Sequence, residues 1–96
     1  MNNYINIKQG TTLLLRLSSD VIDFEHTEFA GGYRNLKGHK GTFQIDRYSN
    51  HINIIIPADE TKLLQTTVYE ADIMITNKGI TSCIATFQFN IDESNL

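Results

Sequence analysis

The sequence predicts an all-β domain, an immunoglobulin-like β-sandwich of about seven strands with one short helical turn near residues 58–64. Three observations carry this reading. Of 96 residues, 25 are Ile, Val or Thr, whose branched Cβ atoms stiffen χ1 and suit a pleated strand better than a helix. Apolar and polar residues alternate with period two through most of the chain, so each such segment presents one face to a core. Turn-forming residues interrupt these segments at short intervals, the spacing of a sandwich or small barrel.

The elements follow in order. Ile5 and Ile7 share one face of a first strand. Leu13, Leu15 and Leu17 do so in a second, opposite Thr12 and Arg16, with Leu14 out of phase. Phe43 and Ile45 alternate with Thr42, Gln44 and Asp46. Tyr48-Ser49-Asn50 then reads as a hairpin connection into Ile52, Ile54 and Ile56, which alternate with His51 and Asn53 until Pro57 ends the ladder. Asp59 and Glu60 place negative charge where a first helical turn favours it, and Leu63-Leu64 closes that turn with an apolar edge.

Tyr69, Ala71, Ile73 and Ile75 face inward from the next strand, while Glu70, Asp72, Met74 and Thr76 face outward. Asn77-Lys78-Gly79 forms a turn with Gly supplying positive φ. In the last strand Cys83, Ala85, Phe87, Phe89 and Ile91 share the core face, opposite Ser82, Thr86, Gln88 and Asn90, and the tail 92–96 is polar and frays. Leu14, Ile55 and Ile84 are out of phase and belong either to a two-sided core or to a patch between subunits. The spacing from Leu63 to Tyr69 resembles the tyrosine corner of immunoglobulin-like domains, in which a Tyr hydroxyl bonds back to upstream backbone; the alternative is a plain core aromatic.

Two stretches do not read as sheet. Ser18 to Glu28 carries Asp20, Asp23, Glu25 and Glu28 around Val21, Ile22 and Phe24. It lacks the Asp-rich, Gly-containing spacing of a calcium loop, so it reads as a solvated connection whose apolar residues tuck under the sheet edge. Gly31 to Gly41 holds four of the six glycines together with Tyr33, Arg34, Lys37, His39 and Lys40. It is not a phosphate loop, because Gly41-Thr42 opens a strand where a P-loop opens a helix. Read as an exposed loop, these five residues form a protein-interaction surface, since Tyr and Arg are favoured anchors.

Composition narrows the classes. One domain, 1–96, is all that this length accommodates. Leu, Ile, Val and Phe are 28 of 96 residues, above the roughly 20% at which disorder becomes the default. Eight basic against eleven acidic side chains give −3, a balance that disfavours general nucleic-acid binding. One cysteine cannot form an internal disulfide, and the N-terminus has neither a basic n-region nor a long apolar run, so the expectation is synthesis in the cytoplasm with no membrane segment.

His26, His39 and His51 stand 13 and 12 apart, without the paired spacing of a metal site. No nucleophile motif is present, and Cys83 on an apolar strand face reads as a core thiol. The expectation is a protein with no catalytic residues, no cofactor, no metal and no small-molecule substrate. Asp72, flanked by core positions, is expected to fix a loop or a neighbouring chain.

The order of features resembles small β-sandwich modules of tailed-bacteriophage structural proteins, among them the N-terminal domain of baseplate upper proteins. The similarity lies in an Ile-x-x-Gly-x-Thr opening at Ile7 to Thr12, a Gly-x-Arg segment at Gly32 to Arg34, and an Ile-Pro-Ala-x-x-Thr turn at Ile56 to Thr61 leading to Leu64. A Tyr-x-x-Asp-Ile strand at Tyr69 to Ile73 and a closing Phe-x-Phe at Phe87 to Phe89 complete it. It spans Ile5 to Ile91 in short motifs. What the resemblance implies is a virion protein that binds other virion subunits and copies of itself in a symmetric assembly. The baseplate proteins continue into a stalk and this chain does not, so an adaptor, neck, tail or baseplate component or a capsid decoration protein is expected. The alternative is a small soluble phage effector that binds and inhibits a host protein.

Overall fold

In a computed structural model that describes residues 4–93, the alternating segments fold as two stacked sheets. The strands are β1 (Tyr4–Lys8), β2 (Leu13–Ser18), β3 (Glu28–Arg34), β4 (Lys40–Thr42), β5 (Gln44–Arg47), β6 (His51–Ile56), β7 (Val68–Asn77) and β8 (Ile80–Asp92), with a helical turn α1 (Ala58–Thr61) between β6 and β7. The larger sheet has the order β1-β8-β7-β3-β4 and the smaller β2-β6-β5. All pairs are antiparallel except β1 with β8. In immunoglobulin terms the small sheet is B-E-D and the large one G-F-C-C′, with β1 as an A′ strand on G. The sandwich expectation holds.

The inner faces follow the period-two pattern. Leu13, Ile52, Ile54 and Ile56 from the small sheet meet Tyr33, Tyr69, Ala71, Ile73, Phe89 and Ile91 from the large one. Phe24 reaches in from the β2–β3 connection and stacks on Phe29 at 5.4 Å, as expected for an apolar residue tucked under an edge. Val21, three residues earlier, stays exposed.

The tyrosine corner is formed. The Tyr69 hydroxyl accepts the Gln65 N–H at 3.0 Å and donates to the Gln65 carbonyl at 3.3 Å, fixing the crossover that leaves α1. Thr61, fully buried, ties α1 to the β1–β2 turn by accepting the Gly10 N–H and donating to the Thr11 carbonyl at 2.6 Å. Tyr69→Phe keeps the ring and strands the Gln65 amide, so a stability loss of about 1–3 kcal/mol is expected in urea unfolding.

Four expectations are corrected. The stretch Gly31 to Gly41 is not one loop: Gly31 to Arg34 lie in β3, paired along its whole length with β7, and Lys40 to Thr42 form β4. The segment with Phe43 and Ile45 is not one strand either. The chain changes sheets at Phe43, whose N–H bonds the Gly31 carbonyl at 3.0 Å, so β4 and β5 belong to different sheets and the strands number eight.

Cys83 is exposed and not in the core. Ile73 pairs with Ala85 and Met74 with Cys83, so Ile84 is the extra residue of a β-bulge. Alternation reverses across a bulge, which turns Cys83 outward beside Met74 and lets Ile84 pack against the core with Ala85. The expectation of a fraying tail is corrected in part: Asp92 pairs with Lys8 of β1, while residues 94–96 lie outside the described residues. Leu14 and Ile55 are cross-strand partners on the outer face of the small sheet, with Leu14 59% exposed.

Candidate functional site in the β3–β4 hairpin

On β3 the residues alternate between two roles. Phe29, Gly31 and Tyr33 face the core, and Ala30, Gly32 and Arg34 face outward. Tyr33 is only 6% exposed. Its ring meets Phe43 at 5.2 Å, Phe89 at 5.5 Å and Tyr69 at 5.7 Å, the last two edge-on, the arrangement that aromatic quadrupoles favour. Burial pushes its hydroxyl above the usual tyrosine value, with the charge of Glu60 and then Tyr69 adding to the effect.

Tyr33 is therefore not a surface anchor, which corrects the expectation from sequence. The glycines explain why. Gly41 lies directly across from Tyr33, and a Cβ there would come within 2.2 Å of the ring; at Gly31 it would come within 2.7 Å of Ile73 Cδ1. Gly41, on the edge strand β4, makes room for the aromatic ring that covers it, and Gly31, on the inner strand β3, makes room for Ile73 and Phe43.

The other four predicted residues are at the surface. Arg34 crosses to β7, donating from Nη1 to Asp72 Oδ2 at 3.0 Å, with Nη2 3.5 Å from Glu70 Oε2. The hydrogen bond to Asp72, then its charge, holds the guanidinium pKa above its ordinary value. Asp72 thus fixes a neighbouring strand. Beside this pair, Ala30 and Gly32 leave the outer surface low, and Met74, Asp72, Arg34, Lys40 and Thr42 rise around it as an open depression of about 640 Å³.

Lys37 and His39 belong to the hairpin between Arg34 and Lys40, and Asn35 shapes it. Asn35 is 7% exposed. Its Oδ1 accepts the N–H groups of Lys37 and His39, both at 3.0 Å, and its Nδ2 donates to Gln65 Oε1 at 3.2 Å. Its backbone N–H bonds the His39 carbonyl and its carbonyl accepts the Gly38 N–H. The hairpin is locked from within, and Leu36 projects fully exposed from its tip. Asn35→Ala leaves two amides without their acceptor, so hydrogen exchange at Lys37 and His39 is expected to accelerate at least about tenfold, with global stability falling far less.

Sequence reasoning named Lys37, His39 and Lys40 and passed over Asn35 and Leu36. The signal was available: an Asn followed three residues later by Gly marks a side-chain-organised turn, and an apolar residue inside such a turn has no core to enter. In the acidic connection, Asp23 accepts from the Glu25 N–H at 3.2 Å and lies 2.8 Å from His26 Nδ1. The hydrogen bond with His26 holds the Asp23 carboxyl below its ordinary value. These contacts organise the loop. Among the described residues no three His, Cys, Asp or Glu side chains converge as a metal site would require, and no helix is long and apolar enough to cross a membrane.

The fold and this surface define an immunoglobulin-like sandwich with a rigid, apolar-tipped hairpin. Compared with models of known protein families and with curated proteins, the chain matches none.

Proposed function

We propose that this protein is a non-enzymatic structural component of a tailed-bacteriophage particle, made in the host cytoplasm and assembled into the virion through protein–protein contacts. The β3–β4 hairpin is one contact surface, with Leu36 as its anchor and Arg34, Lys37, His39 and Lys40 around it. The observation that carries this is the buried Asn35 side chain holding two hairpin amides at 3.0 Å beneath a fully exposed Leu36. A segment already fixed in its bound shape loses little entropy on docking, and an exposed apolar residue with a polar rim has the anatomy of an interface centre. The resemblance from Ile5 to Ile91 to phage sandwich modules supplies the setting: baseplate, neck or tail adaptor, or capsid decoration.

Mass spectrometry and density mapping of purified particles test the proposal. The chain is expected in them at a fixed multiple of three, six or twelve copies, and Leu36→Asp, which touches no core residue, is expected to lower incorporation at least tenfold with an unchanged melting temperature. Absence from particles would overturn it. Capture of one host protein by the purified chain would then favour the inhibitory effector.

A further inference from the structure

One flank of the sandwich carries two bare strand edges. β1 is the margin of the large sheet and β2 of the small one, and among the described residues β1 pairs only with β8 and β2 only with β6. Native edges are blunted by shortness, charge, Pro or bulges, because an unpaired strand templates pairing with another chain. The opposite flank follows that rule: β4 has three residues, and β5 has four, of which Asp46 and Arg47 are charged. β2 does not. It runs six residues as Leu-Leu-Leu-Arg-Leu-Ser and holds register with β6 throughout.

The same flank is short of cover. Five strands face three, and the corner at Phe43 keeps β4 and β5 together on the other side. The surplus width of the large sheet therefore projects past β2, with β1 outermost, and forms a step. Core-facing side chains around that step are only half-buried: Ile5 and Ile7 on β1, Leu15 and Leu17 on β2, and Phe87 on β8. Ile52 and Ile54, one strand inward from β2, are at most 2% exposed.

A second copy of this chain fits the step. A half-turn about an axis parallel to the strands and midway between the layers exchanges the layers and keeps strand direction. It lays the projecting margin of each copy beside β2 of the other. β1 runs into the turn Gln9 to Thr12 and β2 runs out of it, so β1 of the second copy meets β2 in the antiparallel sense. We infer that this protein forms a two-fold dimer in which β1 of each copy pairs with β2 of the other, so that both sheets continue across the contact. The half-turn preserves height along the strands, and the short turn therefore sets the register. Ile5 and Ile7 fall inward beside Leu17 and Leu15, while Asn6 and Lys8 fall outward beside Arg16 and Leu14, with no like charges opposed. The flank is about 20 Å long and about 20 Å deep, and a step two strands wide adds about 20 Å by 10 Å, giving roughly 600 Å² in plan, close to the roughly 800 Å² that each partner of a stable complex buries. Such a contact is isologous and closes at two copies.

Cysteine trapping on the full chain with Cys83→Ser tests it. Asn6 and Arg16 lie on the outer faces of opposite sheets, so Asn6→Cys and Arg16→Cys cannot bridge within one molecule. Oxidising a mixture of the two single variants is expected to give a disulfide-linked heterodimer, and neither variant alone is expected to cross-link. Sedimentation velocity is expected to show a reversible dimer and nothing larger. Leu17→Lys, an inward-pointing charge of the kind that protects native edges, is expected to raise the dissociation constant at least about tenfold.

Wild type that stays monomeric to its solubility limit overturns the inference, as does a dimer indifferent to Leu17→Lys. Cross-linking by Arg16→Cys alone overturns it too, because β2 would then pair with β2. The contact does not use Leu36 and is separate from the virion role: absence from particles leaves the dimer standing, and a monomeric chain found in particles removes the dimer alone.

Discussion

Phe89→Ala is expected to lower stability by about 3–5 kcal/mol in urea unfolding, a large part of what a domain of this size has. Phe89 is wholly buried and its ring meets Tyr69 at 5.2 Å, Tyr33 at 5.5 Å and Phe43 at 6.3 Å. Removing it opens a cavity where both sheets and the corner at Phe43 converge, and the surrounding rings are too rigid to fill it. Phe87, two residues earlier on the same face, is half-buried, so Phe87→Ala costs clearly less. Equal losses at the two positions would contradict the packing described for β8.

Gly41→Ala is the second large effect, and it acts by crowding. The added methyl would lie 2.2 Å from Tyr33 Cζ and 2.3 Å from its hydroxyl oxygen. The ring is wedged between Phe43, Tyr69 and Phe89 and cannot retreat without moving the core. A loss of about 2–3 kcal/mol is expected. Tyr33→Leu is itself destabilising, but in that background Gly41→Ala should add little, because the atoms it strikes are gone. A double-mutant cycle reads this coupling directly. Fully additive losses would mean that Gly41 is needed for its backbone conformation and not for the ring opposite.

The same pair shows where sequence reading succeeds and where it stops. Strands such as β6 and β7 were legible because their alternation is local: Ile52, Ile54 and Ile56 declare an inner face by themselves. The corner at Tyr69 was legible because its partner is four residues away. Tyr33 was not, because the reason for its glycine-rich surroundings is a contact between β3 and β4, and composition records the glycines without recording what fills the space beside them.

Cys83 failed for a related reason. Period two can be extended along a strand only until a bulge resets it, and the reset at Ile84 is defined by pairing with β7. Of the five residues expected at the contact surface, Arg34, Lys37, His39 and Lys40 are exposed and Tyr33 is not. The hairpin's rigidity depends on Asn35 and Gln65, 30 residues apart, a distance over which one sequence gives no signal.

The parallel pairing of β1 with the end of β8 has a mechanical consequence. Ile5 lies beside Phe89 and Lys8 beside Asp92, and the Gln9 N–H extends the ladder to the Asp92 carbonyl at 2.8 Å. When tension is applied between residue 4 and residue 92, the two strands are pulled lengthwise past each other, not peeled apart. The hydrogen bonds between them then bear the load together and must fail nearly at once, whereas in a hairpin pulled open at its ends they fail one after another. The clamp sits where a force entering at one end of the described chain and leaving at the other must pass, so the domain resists stretching better than the marginal stability common to domains of this size would suggest.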